Sequence, residues 1–306
     1  MGNIQSELIN NTMSTLTSYA SAAARDSAAP AASNTGLCIF RSDTNAIEVS
    51  DGTNYQTYNS DGVFVVGTKT NNFSGFFDGT NDAVGCGGVT TLSGQTSFTI
   101  STWFNLDSST SYAASLILLS GGTSATNRMW MATPTSTTIR YGMGGGFDDF
   151  TVPEMSQGTW YHVAVAHSGT SATLYLNGSS ISTATVNNPT SSCGSNFKIG
   201  SYYDAGNKWF GLLDEPAIWS SALDANNIAD IYNSGAAINL LENTGDYNSK
   251  DDLTHWWTFG EHASDTGSGG VANGNVITNV ENAANPGTND GNTITGAPEF
   301  NSSTPS

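Results

Sequence analysis

The chain has 306 residues and a formal charge of −18, with 26 Asp and Glu against 8 Lys and Arg. Holding a phosphate backbone takes a basic stripe that releases counterions, so this balance excludes nucleic acid as a partner. Only 11% of residues are charged, which leaves Ser, Thr, Asn and Gly to solvate the surface.

The opening MGNIQSELIN lacks the basic and apolar regions of a secretory signal. The longest apolar run, Leu116 to Leu119, is far shorter than the roughly 20 residues of a spanning helix, so no membrane insertion is expected. Met1-Gly2 with Ser6 fits a myristoylation pattern, but nothing basic follows to give a second attachment. Residues 4–25 contain no Gly or Pro and predict a helix with Ile9, Met13, Leu16, Ala20 and Ala23 on one heptad seam. Two such heptads are marginal alone, so the helix either packs on its own protein or serves as an oligomerising arm. A linker rich in Ala, Pro and Ser closes this segment, 1–35.

Residues 36–67 alternate short β runs with Asp-Thr-Asn and Asp-Gly turns, and predict a small unit of two or three strands. Residues 68–240 are densely β, with SFTISTWFNL, AASLILLS, RMWMATP, TIRYGMGG and WYHVAVAHSGTSATLYLNG bounded by turn residues at sandwich-like intervals. Within them ALDANNIADIYNSG predicts a helix capped by Asp224, with Ile228, Ile231 and Tyr232 on one face, stopped by Gly235 and lying on a sheet edge. Residues 241–306 are acidic and rich in Gly and Asn. There LTHWWTFGE is expected to add a strand, 264–293 to form a long loop, and NTITGAPEF to give one more strand. Cys38, Cys86 and Cys193 are too few for a disulfide framework, and Cys86 and Cys193 either pair or stay thiols.

Taken in order, FFDGTNDAV, FTISTWFNL, GTWYHVAVAHSGTSATLYLNG, FKIG and FGLLDEPAIWSSALDANNIADIYNSG resemble the concanavalin A-like, laminin G-type jelly roll. The resemblance implies an all-β, two-sheet antiparallel jelly-roll sandwich carrying a short N-terminal helix and a small β unit, with Trp103 and Trp160 in its core. The stretch LCIFRSDTNAIEVSDGTNYQTY resembles the small β unit of phage tail-fibre and virion-appendage proteins. That second likeness implies a non-enzymatic virion protein, assembled in the host cytoplasm and exposed on the particle. Its jelly roll would bind host-surface glycan, and residues 1–35 would join other virion proteins, as a trimer. One alternative is a capsid-decorating or connector protein that makes virion contacts alone. Another is a secreted lectin-like domain, disfavoured by the lack of an export signal.

Glycosidases also use such sandwiches, but their E-x-D-x-x-E strand motif is missing, and adjacent Asp214 and Glu215 would face opposite sides of a strand. No G-x-S-x-G or H-E-x-x-H occurs, and the histidines are expected at the surface, so no catalytic residue is named. Calcium is the ion the chain suits, as a structural ligand of Asp78, Asp82 and Asp214; the alternative is that these carboxylates cap turns and bond backbone amides. For a sugar, Tyr202, Tyr203 and Trp209 in IGSYYDAGNKWFG make an aromatic loop, unless they pack inward. Asp148, Asp149 and Glu154 in GGGFDDFTVPE either face a partner or ion, or are solvated.

Overall fold

The computed structural model describes residues 71–108, 116–203, 207–259 and 299–305, with short pieces elsewhere, chiefly the backbone of 18–19, 38–41, 46–50, 55–58, 276–277 and 292–295. The chain divides into two compact units, one of residues 1–68 with 242–248, the other of 69–241 with 249–306. Among the described residues no helix is long and apolar enough to cross a membrane.

In the first unit β1 (Ser18–Tyr19), β2 (Cys38–Arg41), β3 (Ala46–Ser50) and β4 (Tyr55–Tyr58) form one sheet in that order. The last three are an antiparallel meander. β1 pairs parallel with β2, Ser18 opposite Phe40, so the helix predicted over 4–25 is interrupted at that point. The heptad seam itself lies outside the described residues, as does most of the linker.

The second unit is the expected sandwich. Its strands are β5 (Ser74–Asp78), β6 (Ala83–Gly85), β7 (Ser97–Leu106), β8 (Ile117–Ser124), β9 (Asn127–Thr135), β10 (Thr138–Met143), β11 (Gly146–Thr151), β12 (Tyr161–Ser168), β13 (Ser171–Leu176), β14 (Ser179–Thr185), β15 (Lys198–Ile199), β16 (Phe210–Trp219), β17 (Leu253–Trp256), β18 (Val276–Ile277), β19 (Asn292–Thr295) and β20 (Glu299–Asn301). The front sheet runs β11-β10-β9-β8-β15-β6-β19-β18, and the back sheet β14-β13-β12-β7-β16-β5-β20 with β17 added on β16. All these pairings are antiparallel.

Period-two alternation explains the layers. In β7, Phe98, Ile100, Phe104 and Leu106 join the core together with Val163 and Val165 of β12 and Leu174 of β13; Met129, Met131, Ile139 and Tyr141 meet them from the front sheet. The turn after β13 holds Asn177 and Gly178 at φ 49° and 74°, the left-handed pair that a two-residue hairpin needs, and Asn and Gly reach it at least cost. Trp103 is buried. Trp160 is not in the core: it is half-buried at the rim, and its Nε1 donates to Ser303 Oγ at 3.3 Å.

Helix α1 (Ala225–Tyr232) is capped by Asp224, whose Oδ1 accepts from Asn227 N at 2.9 Å, and ends at Asn233 in the left-handed region, two residues before Gly235. It covers the outer face of the back sheet, not an edge, because Tyr232 stacks 5.6 Å from Trp103 and 6.4 Å from His162, both on central strands. The C-terminal NTITGAPEF is two strands where one was expected. β19 pairs with β6 of the front sheet and β20 with β5 of the back sheet, separated by a Gly-Ala-Pro sequence that favours a break. β18 falls within the predicted loop 264–293, most of which lies outside the described residues. Cys86 and Cys193 are free, buried thiols.

Candidate functional site

With α1 over the back sheet, the outer face of the front sheet decides what the sandwich presents. Register places Lys198, Ser120, Trp130, Gly142 and Phe147 directly beside one another across β15, β8, β9, β10 and β11. At about 4.8 Å per strand this row is about 19 Å long. It faces outward because its neighbours Ile199, Leu119, Met129, Met131, Tyr141 and Met143 fill the core. The indole of Trp130 lies across Gly142, where any Cβ would overlap its Nε1. Glycine at this position is therefore a packing requirement.

The adjoining row adds Arg140 and Asp149, paired across β10 and β11. Arg140 donates to the two carboxylate oxygens of Asp149 at 2.5 and 2.6 Å, a bidentate fork. Asp149 holds the Arg140 guanidinium above its ordinary pKa, and the same guanidinium lies 4.1 Å over the ring of Phe147. Phe147 is 51% exposed, the one large hydrophobic side chain so exposed among the described residues. On the other flank Arg128 stands 5.6 Å over Trp130 and 5.4 Å over Tyr202. Tyr202 meets Trp130 edge-on at 5.9 Å and Tyr203 at 4.7 Å. The result is a ridge from Tyr203 through Tyr202, Arg128 and Trp130 to Arg140, Phe147 and Asp149.

Of the residues named from sequence for a ligand, Tyr202, Tyr203 and Asp149 stand on this ridge. Asp148 is half-buried and opposite Tyr141, on the inward side of the same edge strand. Trp209 stands elsewhere: it is 0% exposed, edge-on to Phe104 at 5.8 Å, with Nε1 donating to Leu212 O at 3.3 Å. Its backbone N–H bonds Gly200 O and draws it into the start of β16. Arg128, Trp130, Arg140 and Phe147 went unnamed, although RMWMATP and TIRYGM already alternate Met with Arg and Trp, and Ile and Tyr with Arg and Gly. That pattern marks an outward stripe.

Asp78, Asp82 and Asp214 do not converge. Asp82 Oδ2 accepts from Asp78 N, and Asp78 Oδ1 from Thr80 N, so these two close their turn. Burial foremost, with the neighbouring Asp78 charge, raises the Asp82 pKa. Asp214 lies four residues along β16 from Phe210, the partner of Asp78, which is about 13 Å of strand. It accepts from Asn71 Nδ2 and from Glu215 N. These three carboxylates do not fit one calcium site, since a hard cation gathers six or more oxygens around one point. Among the described residues no cluster of three His, Cys, Asp or Glu is arranged for a metal.

Asp214 and Glu215 sit in a β-bulge, Glu215 at φ 51°, so simple alternation does not place them. Both are buried, and Glu215 Oε2 accepts from Trp256 Nε1 at 2.6 Å. Glu215 borders a small cavity of about 10 Å³ with Trp103, His162 and Ile231, enough for about one water. The histidines expected at the surface are inside. His162, His167 and His255 are buried, with pKa values lowered by that burial, His162 to about 3 and His255 to about 4. His262 lies outside the described residues.

Residues 78–229 match the concanavalin A-like lectin/glucanases superfamily. No curated protein sequence matches the chain. Among solved structures, a proposed carbohydrate binding protein from Bacteroides ovatus aligns over 76% of this chain and 61% of its own, at 17% identity and a TM-score of 0.53. A heptameric SAP-like pentraxin from Limulus polyphemus aligns over 54% of this chain and 83% of its own, at 18% identity and TM-score 0.43. Domains LG4-5 of the mouse laminin alpha1 chain align over 54% and 46%, at 10% identity and TM-score 0.38.

Proposed function

Residues 78–229 of this chain form a domain of the concanavalin A-like lectin/glucanases superfamily, and from that premise we propose that the protein binds glycans on the outer face of its front sheet. The carrying observation is the ridge. Phe147 is half-exposed beneath a guanidinium, and Tyr202 and Tyr203, backed by the buried Trp130, extend the aromatic surface alongside. Sugar rings present apolar C–H faces and equatorial hydroxyls, so they suit aromatic rings flanked by forked donors and acceptors such as Arg140 and Asp149. The name of the Bacteroides ovatus protein, which shares the fold, agrees with this reading.

In this reading the work is binding. Asp214 and Glu215 are both engaged with internal partners, which favours a structural role for them. Following the resemblance of the 37–58 region, the chain is a structural protein of a phage virion. It displays the sandwich toward host-surface glycan, and residues 1–35 join it to other virion proteins as a trimer.

The test is a glycan array probed with the full chain. Binding should fall about tenfold or more for Phe147→Ala and for Tyr202→Ala, as expected when a stacking anchor is lost, while Trp209 variants change stability instead. Silence across a broad array removes the proposal.

A further inference from the structure

This inference rests on the glycan-binding reading and names the class of glycan. The structure describes five cationic side chains: Arg128, Arg140, Lys198, Lys208 and Lys250. Lys250 pairs with Asp251 at 2.7 Å. The other four gather on the front sheet and at the turn that follows Tyr202, in a chain of only 8 Lys and Arg.

Two of the four are already answered by carboxylates. Arg140 holds Asp149. Lys208 is set among charges: burial lowers its pKa and Lys198 lowers it further, against Asp82 and Asp78, which raise it. Arg128 and Lys198 remain, with no ion pair among the described residues. Lys198 stands in the row of Trp130, and Arg128 in the next row along β9.

Arg128 is also poorly satisfied. Its Nε is buried without a hydrogen-bond partner, and so is Nε1 of Trp130, two residues on and 7% exposed. Two neighbouring buried N–H groups lacking acceptors are costly in a folded protein, and most so where one carries charge. Half-buried Arg128 thus carries a guanidinium that its own protein leaves under-satisfied, and a ligand that brings an anionic acceptor gains most from it. The whole-chain charge of −18 opposes such a ligand at long range. Beyond a Debye length of about 8 Å at physiological salt that field is screened, so the charges within the ridge decide.

We infer that the ridge takes an anionic saccharide, whose carboxylate or sulfate is received by Arg128 beside a sugar ring on Tyr202, with a further ring on Phe147 and Lys198 as a second positive charge.

Two matched pairs of probes test this with the full chain: an oligogalacturonate against its methyl ester, and a carrageenan oligosaccharide against its desulfated form. The charged member of at least one pair should bind about tenfold or more tightly than its neutral partner. Whichever pair responds separates carboxylate from sulfate. Arg128→Gln should bring the charged probe down to the level of its neutral partner, a loss of about ten- to a hundredfold, the range of a lost charged hydrogen bond. Near-UV circular dichroism shows whether the variant is folded, and the wild-type comparison stands without it. Equal affinity within both pairs, alongside binding to neutral array glycans, overturns the inference and leaves glycan binding in place. If no glycan binds at all, both fall.

Discussion

Gly142 decides where Trp130 can lie. A methyl group at 142 would occupy the space of the indole Nε1, so Gly142→Ala has to swing the ring off the sheet or push the strands apart. The expected cost is about 1–3 kcal/mol of stability, seen as a lower Tm with an altered near-UV spectrum and weaker glycan binding. An unchanged spectrum and Tm would show that the ring does not rest on the glycine. The buried histidines give a second residue-scale expectation. His162 and His255 have folded pKa values of about 3 and 4 against an ordinary 6.5. In the window between, the unfolded chain binds protons that the folded chain refuses, so their stabilising contribution is complete above pH 6.5 and is lost as pH falls toward 4. Each steepens the loss by up to about 1.4 kcal/mol per pH unit. Thermal melts from pH 7 to pH 4 should therefore fall steeply, and a flat profile would contradict the buried, neutral assignment. These burials were hidden in the sequence for a physical reason. His167 is an inward position of β12, stacked on Phe98 at 4.7 Å, and His162 is an outward one covered by α1; alternation reports which side a residue faces but not whether that side is covered.

At the scale of elements, local signals were legible and long-range pairings were not. The Asn177-Gly178 turn, the Asp224 cap and the β17 strand all follow from residues adjacent in sequence. By contrast, nothing near Thr293 or Phe300 tells that the first pairs with β6 and the second with β5 on the opposite sheet. The ridge shares that limit, because Lys198, Trp130 and Phe147 become neighbours only through register across five strands. The stripe within each strand was readable, but the row between strands was not. β20 is also the element whose removal should be most informative. Besides its ladder with β5, the segment brings Ser303, whose carbonyl accepts from Ser74 Oγ at 2.6 Å, and Thr304, whose Oγ1 donates to Asn71 O at 3.0 Å. Deleting 299–306 should cost about 3 kcal/mol or more, at roughly 1 kcal/mol for each hydrogen bond lost, and leave β5 as an open edge prone to self-pairing. Urea unfolding and size-exclusion chromatography read the two effects; an unchanged midpoint with an unchanged elution volume would mean that β20 is dispensable.

For the whole molecule, the ordered run of signatures from Phe76 to Gly235 carried the sandwich class, since each motif combines a strand with the turn that ends it. The surplus of acid was equally plain, but its counterpart was not: cations scattered through the sequence meet on one outer face while a helix occupies the other. The closing of β5 by β20 has a consequence in time. Ser74 bonds a carbonyl 229 positions further along the chain, and synthesis at roughly 5–20 residues per second separates the two by on the order of ten to forty seconds. For that interval the nascent sandwich exists with its β5 seam unsewn, and β6 waits nearly as long for β19. On a crowded polysome neighbouring chains offer the same missing strand, so the yield of correctly closed protein should depend on how slowly β5 finds a partner in another chain.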